Sequence, residues 1–170
     1  MTERTAAKPL VERLVVVGLG LIGGSFAKGL RARGVCREVV GVDLDAQARR
    51  LAVELGVVDR CEEQLAAACQ GADVIMLAVP ILAMERVLAE LAKLDLGDAI
   101  LTDAGSAKGN VVRAADAVFG GLPARFVPGH PIAGSEQSGV RITLWRLNSS
   151  PLAASCLLYT SPSPRDKRQS

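Results

Sequence analysis

The sequence is poor in aromatic residues and contains a single histidine, His130. Aromatic residues make up 3% of the 170 residues, whereas hydrophobic residues as a whole make up 49%. This composition is that of a globular protein, and its length suits one domain of ordinary size. The core must therefore be built mainly from aliphatic side chains.

The chain also lacks a strong excess of charge of either sign. Its 20 basic and 18 acidic residues leave a net charge of +2, which is too small to indicate binding to nucleic acid or to a membrane surface. The N-terminal stretch MTERTAAKPLVER contains acidic residues and no long apolar run. We therefore expect neither a signal peptide nor a membrane-spanning segment, and a cytoplasmic location.

Cysteines are few, and none has the spacing of a metal or redox motif. The four cysteines, Cys36, Cys61, Cys69 and Cys156, form no C-x-x-C pair. We expect them to be reduced thiols in a cytosolic protein, and we expect no metal site.

Short β-branched runs alternate with helical patterns along most of the chain. Such alternation is typical of an α/β protein with a Rossmann-type, doubly wound and mostly parallel sheet. The predicted strands are Leu14–Val17, Val39–Val42, a short one around Val57 and Val58, one in ADVIMLAVP that stops at Pro80, one ending at Asp103, and a last one in ARFVPGHP.

The segments between these strands have helical spacing and recognisable ends. The first helix is expected to end near Gly34, and Asp45 and Gly56 are expected to cap and end the second. EEQLAAACQG and AKGNVVRAADAVF are also predicted helices. In ILAMERVLAELAKL, the predicted apolar stripe consists of Leu82, Val87, Leu88, Leu91 and Leu94.

The segment GLGLIGG contains the motif Gly18-x-Gly20-x-x-Gly23 between the first strand and the first helix. In this context the pattern indicates a dinucleotide site. Gly18 allows a tight turn, Gly20 lets the backbone approach a pyrophosphate, and Gly23 lets the helix pack closely. The helix N-terminus favours a phosphate. We assign Leu21 and Ile22 of the same turn to the cofactor site.

Asp43 ends the second strand, about 20 residues beyond the last glycine of the motif, where an acid bonds the ribose hydroxyls. A carboxylate there would repel a 2′-phosphate, so the sequence favours NAD over NADP. Arg49 and Arg50 could bind such a phosphate, but they lie further along the helix, where we expect them to be solvated.

Three later motifs, AVP, DAGS and GHP, follow strands and should line one crevice at the carboxyl edge of the sheet. Val79 and Pro80 of the first are predicted to contact the cofactor. Ser106 of the second is either a helix cap alone or a site residue. His130 of the third has an ordinary pKa of about 6.5, which suits a general base for the oxidation of a hydroxyl.

In their order and spacing, VVVGLGLIGGSFAKGLR, DVIMLAVP, TDAGSAKG and GHPIAGSEQSG resemble the prephenate dehydrogenase family, which includes cyclohexadienyl and arogenate dehydrogenases of tyrosine biosynthesis. The resemblance covers about Leu14 to Val140, and GHPIAGSE is its most specific part. It departs from the usual DVGS motif at Ala104.

The resemblance implies NAD-dependent oxidative decarboxylation of prephenate to 4-hydroxyphenylpyruvate, or of arogenate to tyrosine. His130 would bind the ring hydroxyl as the catalytic base, and Ser106 would assist beside the nicotinamide. Ser135 and Glu136 would lie at the substrate end, although Glu136 is equally explained as a surface acid. The family continues into a helical domain that forms a homodimer and binds the substrate carboxylates, and none of it is recognisable here.

The pattern changes after Val140. Residues 1–140 are expected to form the NAD-binding domain, and residues 141–170 a non-native or disordered tail. Cys156 to Asp166, CLLYTSPSPRD, is the translation of a transposase adapter used in sequencing libraries. We therefore expect the reading frame to have left a truncated gene, and the fragment alone to be inactive.

Two other functions are compatible with the glycine motif. One is a Rossmann oxidoreductase of the 6-phosphogluconate or pyrroline-carboxylate reductase type, which leaves GHPIAGSE unexplained. The other is a regulatory module that binds NAD without catalysis, in which His130→Asn would leave NAD binding unchanged.

Overall fold

A computed structural model describes residues 9–105 and 108–129 of the chain. Strands and helices alternate throughout this part. The elements are β1 (Val11–Val17), α1 (Leu21–Ala32), β2 (Cys36–Val42), α2 (Ala46–Glu54), β3 (Arg60–Glu62), α3 (Leu65–Cys69), β4 (Val74–Leu77), α4 (Ile81–Leu91), β5 (Ile100–Asp103), α5 (Lys108–Phe119) and β6 (Phe126–Val127).

The strands form one six-stranded sheet in the order β3-β2-β1-β4-β5-β6. Every strand pair is parallel. The chain reverses its direction of travel between β1 and β4, and in open α/β sheets ligands bind beyond the strand ends at such a point. The predicted Rossmann-type fold is confirmed.

The two faces of the sheet carry separate aliphatic cores, because successive side chains of a strand point to opposite faces. On β1, Val15 and Val17 belong to the core that includes α4 and α5, whereas Leu14 and Val16 belong to the core that includes parts of α1 and α2. This double burial explains why β1 has a continuous apolar run instead of an alternating pattern.

The strand predicted around Val57 and Val58 is wrong. Both valines are buried, but their N–H groups donate to the Ala52 carbonyl at 2.9 and 3.3 Å, so they fold back over the end of α2. Gly56 allows this reversal with a φ of +62°. The strand β3 begins at Arg60.

The apolar stripe predicted for α4 is only partly correct. Leu82 is 95% exposed, while Met84, Leu88 and Leu91 are buried. These three follow helical spacing on one face, and Leu82, two residues before Met84, lies on the opposite face. The helix ends at Leu91, before Leu94.

The predicted caps of the first two helices are confirmed. The Asp45 carboxylate accepts a hydrogen bond from the Gln47 N–H at 2.8 Å, and Gly34 follows α1 with a φ of +64°.

The three cysteines among the described residues, Cys36, Cys61 and Cys69, are free thiols. Among the described residues, no helix has the length and apolar character needed to cross a bilayer.

Candidate functional site

The glycine-rich loop lies at the carboxyl edge of the sheet, between the ends of β2 and β4. The Gly18 N–H donates to the Val42 carbonyl at 2.8 Å, and the Ala78 N–H donates to the Val17 carbonyl at 2.7 Å. These bonds extend the ladders of β1 beyond its last strand residue. The loop is therefore held against both neighbouring strands.

Gly18 and Gly23 make close contacts that no other residue allows. Gly18 has a φ of +94°, and a Cβ there would lie 2.6 Å from the carbonyl oxygen of Ala78. A Cβ at Gly23 would overlap the Gly18 carbonyl oxygen and lie 2.9 Å from the Ala78 Cβ. The close packing at Gly23 is thus against the loop itself and the end of β4.

Gly20 differs, because a Cβ at this position would have no atom within 4 Å. Gly20 is the N-cap of α1, and no side chain caps this helix. The N-terminus of a helix carries about half a positive elementary charge and attracts phosphate. The open side of Gly20 therefore offers space for a pyrophosphate next to a positive helix end.

The Asp43 carboxylate lies beside this loop and is half-buried. Its Oδ2 accepts a hydrogen bond from the Leu19 N–H at 2.8 Å, and its Oδ1 accepts one from the Asp45 N–H at 2.9 Å. A carboxylate has about four lone-pair positions, so both oxygens can still accept a further donor, such as a ribose hydroxyl.

Arg49 is not solvated, contrary to the prediction. Its side chain is 18% exposed, and its Nη1 donates to the Asp43 carbonyl at 2.6 Å and to the Leu44 carbonyl at 3.2 Å. The guanidinium therefore holds the loop between β2 and α2 through two of its carbonyl groups. Arg50, in contrast, is exposed as predicted.

Cys61 of β3 packs beneath the same region. A Cβ on Gly41 would lie 3.1 Å from its Sγ, and the thiol donates to the Arg49 carbonyl at 3.4 Å. Burial, more than any charge, raises the pKa of the Cys61 thiol. It remains a neutral packing group at physiological pH.

The other residues assigned to the cofactor lie at the same edge. Val79 is half-buried against the core, and Pro80 is exposed as the N-cap of α4. In the first turn of α1, Leu21 is half-buried and Ile22 is 40% exposed. Because β1 and β4 are parallel neighbours, these two segments begin side by side.

Asp103, the first residue of the DAGS motif, is a buried acid to which the sequence pattern gave no role of its own. Its side chain is 1% exposed at the end of β5. Its Oδ2 accepts a hydrogen bond from the Gly105 N–H at 2.8 Å, and its Oδ1 accepts one from the Gly129 N–H at 3.2 Å. One carboxylate thus joins the segment after β5 to the segment after β6.

Ser106, His130, Ser135 and Glu136 lie outside the described residues. Gly105 immediately precedes Ser106 in the sequence, and Gly129 immediately precedes His130. The structure therefore brings the backbone that leads into each of these two residues to one point at the carboxyl edge.

The sequence is similar to those of known proteins. The profile of the family described as "Prephenate dehydrogenase, nucleotide-binding domain" matches residues 26–149. The prephenate dehydrogenase of Lactococcus lactis subsp. cremoris is 39% identical over 131 residues, which cover 76% of this chain and 36% of that protein.

Two solved structures are similar over the same part of the chain. The prephenate dehydrogenase from Aquifex aeolicus, in complex with hydroxyphenyl propionate and NAD⁺, has a TM-score of 0.69 and 37% identity, and the match covers 76% of this chain and 45% of that one. Synechocystis arogenate dehydrogenase has a TM-score of 0.67 and 35% identity, covering 76% and 44% of the two chains.

The chain thus spans less than half the length of these relatives. The profile covers most of its residues, including the motifs TDAGSAKG and GHPIAGSEQSG. With the parallel Rossmann-type sheet, this match shows that the chain belongs to the prephenate dehydrogenase nucleotide-binding domain family.

Proposed function

We propose that this domain binds NAD⁺ and forms part of an enzyme that oxidatively decarboxylates prephenate or arogenate. The observation that carries the proposal is the convergence at the carboxyl edge. The glycine-rich loop lies there, and Asp103 holds Gly129, the residue before His130, at the same edge.

The residues at the loop fit a nicotinamide dinucleotide. The open side of Gly20 and the N-terminus of α1 would hold the pyrophosphate, and Asp43 would accept hydrogen bonds from the adenosine ribose. The negative charge of Asp43 favours NAD⁺ over NADP⁺, because a 2′-phosphate would meet a like charge. When bound, the nicotinamide supplies the hydride acceptor.

In the reaction, a hydride leaves C4 of the cyclohexadiene ring and the C4 hydroxyl loses its proton, while the C1 carboxylate departs as CO₂. His130 would accept that proton and return it to the same oxygen, because the electron pair of the broken bond to the departing carboxylate makes the ring aromatic and leaves a phenolate. Ser106 would orient the same hydroxyl and the imidazole. Ser135 and Glu136 would face the substrate, whose remaining carboxylate needs a cation from outside this domain.

Because the chain spans less than half of its relatives, we propose that the 170-residue chain binds NAD⁺ without turnover. Residues 1–140 would form the domain and residues 141–170 a non-native tail. The profile match continues to residue 149, so residues 141–149 belong to both the match and the proposed tail. Comparing these residues with the genomic sequence tests where the tail begins. The full-length enzyme would be a homodimer through its remaining domain, which light scattering would test.

The test uses the full-length enzyme that contains this domain, assayed by NADH formation with prephenate and with arogenate. His130→Asn should leave NAD⁺ affinity unchanged and lower kcat by about 10²- to 10⁴-fold. Arg50→Gln, a change at an exposed site, should leave both unchanged.

Each alternative function gives a different result. A relative of the 6-phosphogluconate or pyrroline-carboxylate reductases would turn over neither substrate but would act on another in a panel. A regulatory module would bind NAD⁺ and catalyse nothing. Turnover that survives His130→Asn would remove the proposed base.

A further inference from the structure

We propose that Asp103 is a positioning residue, which fixes the segment leading to Ser106 relative to the segment leading to His130. The inference rests on the proposed function. Its basis is a single buried carboxylate whose two oxygens each bind a backbone N–H from a different segment of the chain.

The two segments also meet through the parallel pairing of β5 with β6, and the Asp103 carboxylate adds a link at the point where both strands have ended. Gly105 follows β5 directly, but Gly129 lies 26 residues from Asp103 and follows β6, a strand of only two residues. A planar carboxylate has oxygens in a fixed geometry, so bonding both N–H groups restricts both segments together. An error of about 1 Å in such placement can reduce a catalytic rate by about 10²-fold.

The glycines at both contact points are explained by close approach. A Cβ on Gly129 would lie 2.5 Å from the Asp103 carbonyl oxygen and 3.0 Å from the Thr102 Oγ1. A Cβ on Gly105 would lie 2.8 Å from the Val111 Cγ2 and 3.0 Å from the Asp103 Oδ2. Neither glycine has a positive φ. Their small size is therefore needed for the backbone to approach Asp103.

Burial indicates that this carboxylate does more than end a strand. At 1% exposure it is among the least accessible polar side chains described, and burying a charged group is costly unless hydrogen bonds compensate. An apolar side chain would serve the core at less cost, but it could not accept these two N–H groups.

Asp73, an exposed aspartate, provides a control for the loss of a carboxylate charge within the same fold. Its Oδ2 also accepts two backbone N–H groups, from Glu12 at 2.7 Å and from Arg13 at 3.0 Å. It precedes β4, so it lies at the amino edge of the sheet, opposite the candidate site. Asp73→Asn removes a carboxylate charge far from Gly105 and Gly129, and its one remaining oxygen can still accept both N–H groups.

The experiment compares Asp103→Asn with Asp73→Asn in the full-length enzyme. An asparagine has one oxygen acceptor, and its amide nitrogen cannot accept the second N–H. Asp103→Asn should lower kcat by about 10²-fold and change the Kd for NAD⁺ by less than about threefold. Asp73→Asn should keep wild-type kcat, whatever its effect on the melting temperature.

A second variant keeps the carboxylate and moves the backbone. Gly129→Ala should lower kcat to a similar extent, because the new Cβ would push the segment away from Asp103. Gly97→Ala is its control, because it strains a residue with a φ of +52° in the turn before β5, and it should lower stability while keeping wild-type kcat. If Asp103→Asn fails to fold, the Gly129→Ala comparison decides alone.

His130 also gives a spectroscopic signature, because it is the only histidine among the 170 residues. In proton NMR of the 170-residue chain, the single imidazole C2–H signal should move in Asp103→Asn and stay in place in Asp73→Asn. A stabilising role alone would not produce this difference.

Two results would overturn the inference while leaving the proposed function intact. One is a folded Asp103→Asn enzyme with wild-type kcat. The other is an equal loss of kcat in Asp73→Asn. If instead the wild-type enzyme turns over neither prephenate nor arogenate, the proposed function fails first.

Discussion

The Asp43 carboxylate connects the end of β2 to the glycine-rich loop, because its Oδ2 accepts a hydrogen bond from the Leu19 N–H at 2.8 Å. Leu19 lies between the first two glycines of the motif, and its side chain is fully buried. The acid proposed to bind the ribose therefore also helps to shape the loop proposed to bind the pyrophosphate. Substitutions at Asp43 should affect both functions.

Asp43→Asn should change the choice between cofactors. Asparagine removes the negative charge while keeping one oxygen for the Leu19 N–H. Like charges placed together at a binding site cost several kcal/mol, so the ratio of Kd for NADP⁺ to Kd for NAD⁺ should fall by about tenfold or more. Calorimetric titration of the 170-residue chain with each nucleotide measures this ratio.

Asp45→Asn is the control for this experiment. It removes a charge two residues away, and asparagine caps a helix as well as aspartate does, so α2 should be kept. In Asp45→Asn the ratio of Kd for NADP⁺ to Kd for NAD⁺ should change by less than about threefold, as expected for an exposed charge screened by solvent. Equal changes in the two variants would show that only net charge matters.

Gly20→Ala and Gly23→Ala should separate binding from stability. At Gly20 an added Cβ meets no atom, so the melting temperature should stay near wild type while NAD⁺ affinity falls by at least about tenfold. At Gly23 the Cβ overlaps the Gly18 carbonyl oxygen, and such overpacking typically costs about 1–3 kcal/mol of folding free energy.

Urea unfolding and NAD⁺ titration of the two variants measure both properties. A Gly20→Ala protein that binds NAD⁺ as well as wild type would place the pyrophosphate elsewhere. A Gly23→Ala protein with an unchanged unfolding free energy would contradict the tight contact between α1 and its own loop.

Much of the fold is predictable from local patterns. The run Leu14–Val17 identifies a strand buried on both faces, and the glycines and Asp45 mark helix ends. Apolar content alone misleads at Val57 and Val58, because burial under a helix end and burial in a sheet leave the same sequence signal. The prediction that Leu82 belongs to the apolar stripe is wrong for a similar reason, because the position of the core decides which face of α4 is buried.

The site is predictable only where its contacts are local. An aspartate whose side chain bonds the N–H two residues later is a recognised turn pattern, and Asp103 with Gly105 fits it. The bond from Gly129 depends on β6 lying beside β5, which no local pattern encodes. Arg49 is similar in one contact, because its Nη2 lies 3.6 Å from the Glu63 Oε2 only where α2 lies beside the segment after β3.

Arg49→Gln should loosen the loop between β2 and α2. The variant loses hydrogen bonds to the carbonyls of Asp43 and Leu44. A hydrogen bond from a charged donor contributes up to about 3 kcal/mol, and less where the group is partly exposed to solvent. We expect a loss of about 1–2 kcal/mol in unfolding free energy and weaker NAD⁺ binding. Arg50→Gln, its exposed neighbour, should change stability by less than about 0.5 kcal/mol.

Alkaline pH should destabilise the domain through its buried thiols. Burial, with a smaller contribution from Glu90, raises the pKa of Cys69 from 9.0 to about 12. Burial, with a smaller contribution from Asp59, raises the pKa of Cys36 from 9.0 to about 11. Both side chains are nearly inaccessible, so the folded state holds these protons after the unfolded chain has released them.

The sign of the effect follows from this proton difference. Above pH 9 the unfolded chain binds fewer protons than the folded one, so each thiol should lower the unfolding free energy by up to about 1.4 kcal/mol per pH unit. Below pH 9 the contribution is constant. The loss should stop near pH 11 for Cys36 and continue to about pH 12 for Cys69.

Urea unfolding of wild type, Cys36→Ala and Cys69→Ala under reducing conditions isolates each thiol from the lysines and tyrosine that titrate in the same range. Each alanine variant leaves a small cavity and should be less stable than wild type by a constant amount below pH 9. Above pH 9 the difference in unfolding free energy between wild type and variant should narrow. The wild-type thiol ionises in the unfolded chain and lowers the stability of wild type, whereas the alanine variant has no thiol at that position. A difference that stays constant or widens up to pH 11 would mean that these thiols ionise in the folded protein as readily as in the unfolded chain.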